Sequence, residues 1–161
     1  MTIFALGQVD PSVQSASSLR QFTKTGFIML GTFQQSDLRI EINASGNAIR
    51  DSLTQGEHLR RWLYPQSLSI GETDTLTLDS TFTSWIGPIA IQHRVLLLGD
   101  QTLQLLMSQA VDGVHEWQWG DGWVQSSLAG VSILPLNLAQ TLNIWRLRTF
   151  LEAQQQVVST P

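Results

Sequence analysis

Cysteine is absent from the 161 residues, which excludes disulfides and thiolate metal sites and leaves the redox compartment unmarked. Lysine occurs once, as Lys24, and nine basic residues stand against thirteen acidic ones, for a net charge of −4. With no basic block anywhere, the footprint needed to hold a nucleic acid is missing. Charged residues make up only 14% of the chain, against roughly 25% in ordinary soluble domains. Uncharged Gln, Ser and Thr must therefore build most of the polar surface. Long apolar runs are missing too: none approaches the ~18 residues of a membrane-crossing helix. Residues 1–21 lack the basic start and apolar core of a secretion signal. The default expectation from these absences is a cytoplasmic chain without stable membrane insertion.

What is present is hydrocarbon. Hydrophobic residues reach 42%, and a chain of this length forms about one domain that buries roughly two-thirds of its unfolded surface. Residues 1–37 read as an N-terminal extension, loose through Asp10-Pro11 and a Ser, Gln and Ala run, with a candidate extra strand at 22–33. From Leu38 the pattern sharpens: Leu38, Ile40 and Ile42 alternate with Arg39, Glu41 and Asn43, the period of a half-buried strand. Ser45 is placed to cap a short helix running to about Thr54, and Gly56 separates it from a second over residues 57–63, which Pro65 stops. Strands follow at 75–85, 89–98, 102–109, 114–119 and 123–133. Gly87-Pro88, Gly99-Asp100, Asp112-Gly113 and Gly120-Asp121-Gly122 are read as their turns. Such short connections predict an antiparallel meander. After Pro135, Leu136, Leu138, Ala139, Leu142, Ile144, Trp145, Leu147, Phe150 and Leu151 recur at helical spacing, a long helix to about Gln156, with Arg146 and Arg148 off its apolar face. Residues 157–161 read as a frayed tail.

The order of elements, with IEINASGNAIRDSLTQGEHLRRWLYP at residues 40–65 and LPLNLAQTLNIWRLRTFLEA at residues 134–153, resembles the SRPBCC superfamily of START-like, helix-grip proteins. The resemblance covers residues 38–156. It implies an α+β helix-grip fold: a strand, two short helices, a curved antiparallel meander of about six strands, and a long C-terminal helix gripped across the sheet. It also implies an apolar cavity between sheet and helix. The superfamily spans carriers, receptors, polyketide cyclases and co-chaperones, so fold does not fix function. A lipocalin-like barrel fits less well, because two short helices precede most strands.

Candidate site residues follow from which way each strand faces. His93 shares a face with Ile89, Ile91, Val95 and Leu97; turned inward, it is a ligand partner, a general base or a satisfied core histidine. His115, Trp117 and Trp119 share a face, where the tryptophans either stack on a flat ligand or seal the sheet. Trp62 ends the second short helix, in the resemblance an anchor at the cavity mouth. Leu138, Leu142 and Trp145 offer the helix side of the cavity. Arg60 and Arg61 read as solvated, or as partners of an anionic head group. His58, His93 and His115 are scattered without metal-ligand spacing, and no Gly-rich phosphate loop or nucleophile elbow occurs, so neither metal nor cofactor is expected. The leading expectation is a carrier for a small apolar molecule: a lipid, isoprenoid, quinone or polycycle. The alternatives are a cyclase or dehydratase using an inward His93, or Glu116 if that strand is turned over, and an interaction module with a collapsed cavity.

Overall fold

The computed structural model describes residues 31–158. Its sheet has seven strands in the order β1-β7-β6-β5-β4-β3-β2, every neighbouring pair antiparallel. β1 (Thr32–Glu41) is followed by the helices α1 (Gly46–Thr54) and α2 (Gly56–Trp62). Then come β2 (Ser67–Leu68), β3 (Thr81–Ile86), β4 (Ile89–Leu98), β5 (Thr102–Gln109), β6 (Val111–Gly120), β7 (Trp123–Ser132) and α3 (Leu136–Val158). This α+β layout is the expected one. The meander runs from β2 to β7, and β1 joins beside β7.

β1 begins before the alternation at Leu38 is legible, pairing with β7 from Thr32↔Ser132 to Glu41↔Trp123. Residues 32–37, assigned from sequence to the extension, thus belong to the sheet. Gln34 binds the start of α3: its Nε2 donates to Ser132 O and Leu134 O, and its Oε1 accepts from Leu136 N at 2.9 Å. The candidate strand at 22–33 lies, up to residue 30, outside the described residues.

Ser45 caps α1 as expected, its Oγ accepting from Ala48 N at 3.2 Å. α2 follows almost without a gap because Gly56 lies against another backbone stretch. Its N–H donates to Asp74 O, and a Cβ there would sit 2.0 Å from Gly71 O. The expected strand at 75–85 is shorter than the Thr-rich alternation suggests. Residues 75–80 leave the ladder because Asp79 takes a positive φ of 63° and Ser80 Oγ bonds back to Thr77 N and O. Asp112-Gly113 is not a turn. The chain reverses at Gln109, at φ 79°, and Ala110, while Gly113 lies within β6 opposite Gly130. A Cβ on Gly113 would meet Ala129 O at 2.2 Å, so the glycine answers a close strand approach.

The core lies on the concave face under α3. Leu136, Gln140, Ile144, Leu147 and Leu151 form the helix's buried stripe, and Ile49, Leu53, Leu103, Trp119 and Val124 lie among the residues packed beneath or beside it. Leu138, Leu142 and Trp145, counted from sequence as part of one broad apolar face, lie on a second, exposed stripe. Among the described residues, no helix is long and apolar enough to cross a membrane.

Candidate functional site

Between the concave sheet, α2 and α3 lies a cavity of about 470 Å³. Its wall is mostly hydrocarbon from Leu59, Phe82, Ile91, Leu105, Met107 and Leu128, and no carboxylate among the described residues lines it. It opens where its wall residues become exposed: Ile86 and Gly87 in the β3–β4 turn, Pro65 after α2, and Leu138 and Leu142 on α3. Gln66 Nε2 donates to Asn143 Oδ1 at 3.2 Å, tying the segment after α2 to α3 beside this mouth.

Of the residues expected at the site, Trp62, Ile91, His93, His115, Trp117, Leu138 and Leu142 line the cavity. Val95 and Trp119 face inward but are wholly buried in the packed core, off the cavity wall. Trp145 is 61% exposed on the outer side of α3 and also off the wall. Leu97 is turned out by a bulge between Val95 and Leu97, which shifts the alternation of β4 by one residue. Glu116 lies on the other face of β6 from His115 and accepts from Gln118 Nε2 at 2.6 Å.

Trp62 has two roles. Its Nε1 donates to Ser52 O at 2.8 Å, satisfying a carbonyl in the last turn of α1, where helices leave such groups unpaired. Its ring meets Trp117 edge-on at 6.2 Å on the cavity wall. Arg60 is not simply solvated: its Nη1 donates to Leu68 O and Ile70 O, holding the segment after α2. Arg61 pairs with Glu57 at the surface. Arg146, which the sequence placed off the apolar face, lines the cavity half-buried and has no ion pair among the described residues.

Polar groups at and behind the wall form two short chains, Ser84–His93 and His115–Ser126–Gln140. Ser84 Oγ lies 2.9 Å from His93 Nε2, and the His93 ring stacks on Phe82 at 4.6 Å. His115 Nε2 lies 2.8 Å from Ser126 Oγ, which in turn accepts from Gln140 Nε2 at 2.9 Å. Burial pushes His93 down to about 4, and burial followed by the nearby His93 pushes His115 down to about 3. Both rings are therefore neutral at ordinary pH. Ser126 and Gln140 were missed from sequence. The available signal was positional, a Gln in line with Leu136, Ile144, Leu147 and Leu151 on the buried stripe of the last helix. Among the described residues, no three His, Asp or Glu side chains are grouped to hold a metal.

A scan against family models finds none that matches, and no curated protein matches the sequence. Solved structures do. A Mesorhizobium loti protein, MLL2253, is similar over 74% of this chain and 98% of its own, at 13% identity and a TM-score of 0.57. The Aha1 dimer from Colwellia psychrerythraea covers 74% of this chain and 96% of its own, at 16% identity and a TM-score of 0.56. The chain has the helix-grip fold. Norcoclaurine synthase from Thalictrum flavum, solved with dopamine and hydroxybenzaldehyde, shares that fold over 81% of this chain and 90% of its own, at 11% identity and a TM-score of 0.55. The likeness to the SRPBCC superfamily read from residues 40–65 and 134–153 holds at the level of fold. Helix-grip neighbours so different in name leave the choice of activity to the cavity itself.

Proposed function

We propose that this helix-grip chain binds and carries one small apolar molecule, of lipid, isoprenoid, quinone or polycyclic type, in the cytoplasm. The observation that carries the reading is the cavity of about 470 Å³, walled mostly by hydrocarbon and lined by no carboxylate among the described residues. Its size falls in the usual range for ligand pockets. A space of this kind between well-packed elements is costly unless something fills it, because interiors otherwise close to near-crystalline density.

The cyclase or dehydratase reading is weaker on chemical grounds. A general base works best with a pKa near the working pH, and His93 is held at about 4 by burial alone. Such a ring accepts or donates a hydrogen bond well and takes a proton poorly. The interaction-module reading expects a collapsed cavity together with an exposed apolar patch; the exposed stripe of Leu138, Leu142 and Trp145 fits the second, and the open volume of about 470 Å³ weighs against the first.

The test is native mass spectrometry of the purified chain, followed by organic extraction and identification of what is released. Near one-to-one occupancy by an apolar molecule is expected. A protein that arrives empty and takes up no member of a panel of lipids, quinones and polycycles would end the carrier reading.

A further inference from the structure

Gln140 sits on the buried side of α3 with 1% of its surface exposed. Its Nε2 donates to Ser126 O at 2.8 Å, to Ser126 Oγ at 2.9 Å and to Ser36 O at 3.2 Å. Two of those three partners are backbone carbonyls, which accept and never donate. The nitrogen must therefore face them, and the amide cannot be turned over. That fixes Oε1 at the opposite corner, buried and without a partner among the described residues. Gln34, the other glutamine binding α3 to the sheet, uses both its nitrogen and its oxygen. Gln140 has an acceptor to spare and its side chain lines the cavity; His93 Nδ1, on the same wall, is likewise buried without a partner among the described residues, but its ring can present either a proton or a lone pair there, whereas the amide oxygen can only accept.

A buried acceptor left unpaired costs free energy, and so does a hydroxyl carried into a hydrocarbon cavity. Each removes the other's cost. We propose that the cavity selects apolar molecules bearing a neutral hydroxyl, an alcohol or a phenol, whose O–H donates to Gln140 Oε1. The inference rests on the binding reading above. It disfavours an ammonium, since no carboxylate among the described residues lines the wall to balance its charge. It sets the polar end of the ligand deep, beside the Gln140–Ser126–His115 chain, with the hydrocarbon toward the mouth.

The experiment is calorimetric titration of the full chain with matched pairs on two scaffolds: farnesol with farnesyl methyl ether, and 1-hydroxypyrene with 1-methoxypyrene. Each ether keeps the oxygen and loses only the donor. The expected result is binding about ten-fold or more tighter for the alcohol and the phenol, since a site built around a hydrogen bond discriminates strongly against ligands lacking it. In Gln140→Met the ratio falls to near one; in His93→Phe it persists. Should Gln140→Met not fold, the side-chain amide resonances of Gln140 in the native chain decide, moving with farnesol and not with its ether. Equal binding of alcohol and ether overturns the proposal and leaves the carrier reading intact. Loss of the ratio in His93→Phe overturns the assignment to Gln140. Preference for farnesoic acid that disappears in Arg146→Gln would put the polar end at the mouth and overturn it as well. If no ligand on either scaffold binds, the proposal is overturned, and the carrier reading is left to the wider panel of lipids and quinones.

Discussion

His93 and His115 are polar rings in a mostly hydrocarbon wall, and among the described residues neither has a carboxylate to hold a proton on it. In the unfolded chain both titrate near 6.5; in the fold they titrate at about 4 and about 3. As pH falls below 6.5 the unfolded state takes up protons that the folded state refuses, so stability is complete above that value. It then declines, for His93 down to about pH 4 and for His115 to about pH 3. At pH 5 the loss is on the order of 2 kcal/mol for each ring. Urea unfolding at pH 7.5 and pH 5 measures it, and His93→Phe is expected to remove that ring's share of the difference. An unchanged difference in the variant would mean that groups other than this histidine set the pH dependence.

Among the elements, turns show how far the sequence could be read. β4 and β5 have the ends expected of them, because Gly87-Pro88 and Gly99-Asp100 are turn chemistry that acts locally. Asp112-Gly113 has the same local look and a different cause. Its glycine answers Gly130 of the neighbouring strand, which no short window contains. The bulge in β4 was equally hidden, since a continuous apolar run from Val95 to Leu98 carries no mark of where the alternation slips. Gln140 and Ser126 went unremarked because their residue types read as surface until the buried stripe is known. Two substitutions separate close approach from backbone strain. Gly113→Ala drives a methyl against Ala129 O and is expected to cost on the order of 3 kcal/mol. Gly87→Ala has open space around it and only its φ of 59° to resist, about 1 kcal/mol. Thermal unfolding ranks the two, and a reversed order would contradict the close packing of β6 on β7.

At the scale of the molecule, α3 is pinned at its start by Gln34 and part-way along by Gln140, over the β1–β7 side of the sheet. The β3–β5 side lies uncovered by the helix stripe, and there the cavity opens. Fold class, element order and the long final helix were legible because periodicity and turn spacing record which surfaces are wet. The cavity was expected only through the resemblance, since hydrocarbon facing a void and hydrocarbon facing hydrocarbon have the same sequence. Met107 is buried on the β5 wall. Met107→Trp should occupy the space itself, lowering ligand uptake at least ten-fold while leaving the melting temperature unchanged or raised. Undiminished uptake in a folded variant would move the binding site away from this cavity.

Trp62 and Trp117 meet edge-on in the cavity wall, Trp119 is sealed behind them, and Trp145 stands in solvent on the outer side of α3. Light absorbed by these rings returns from different surroundings. A molecule entering the cavity is expected to alter the emission of the inner pair, while Trp85, Trp123 and Trp145, off the cavity wall, supply a steady background. The protein thus carries an intrinsic optical gauge of its own occupancy, readable without a label.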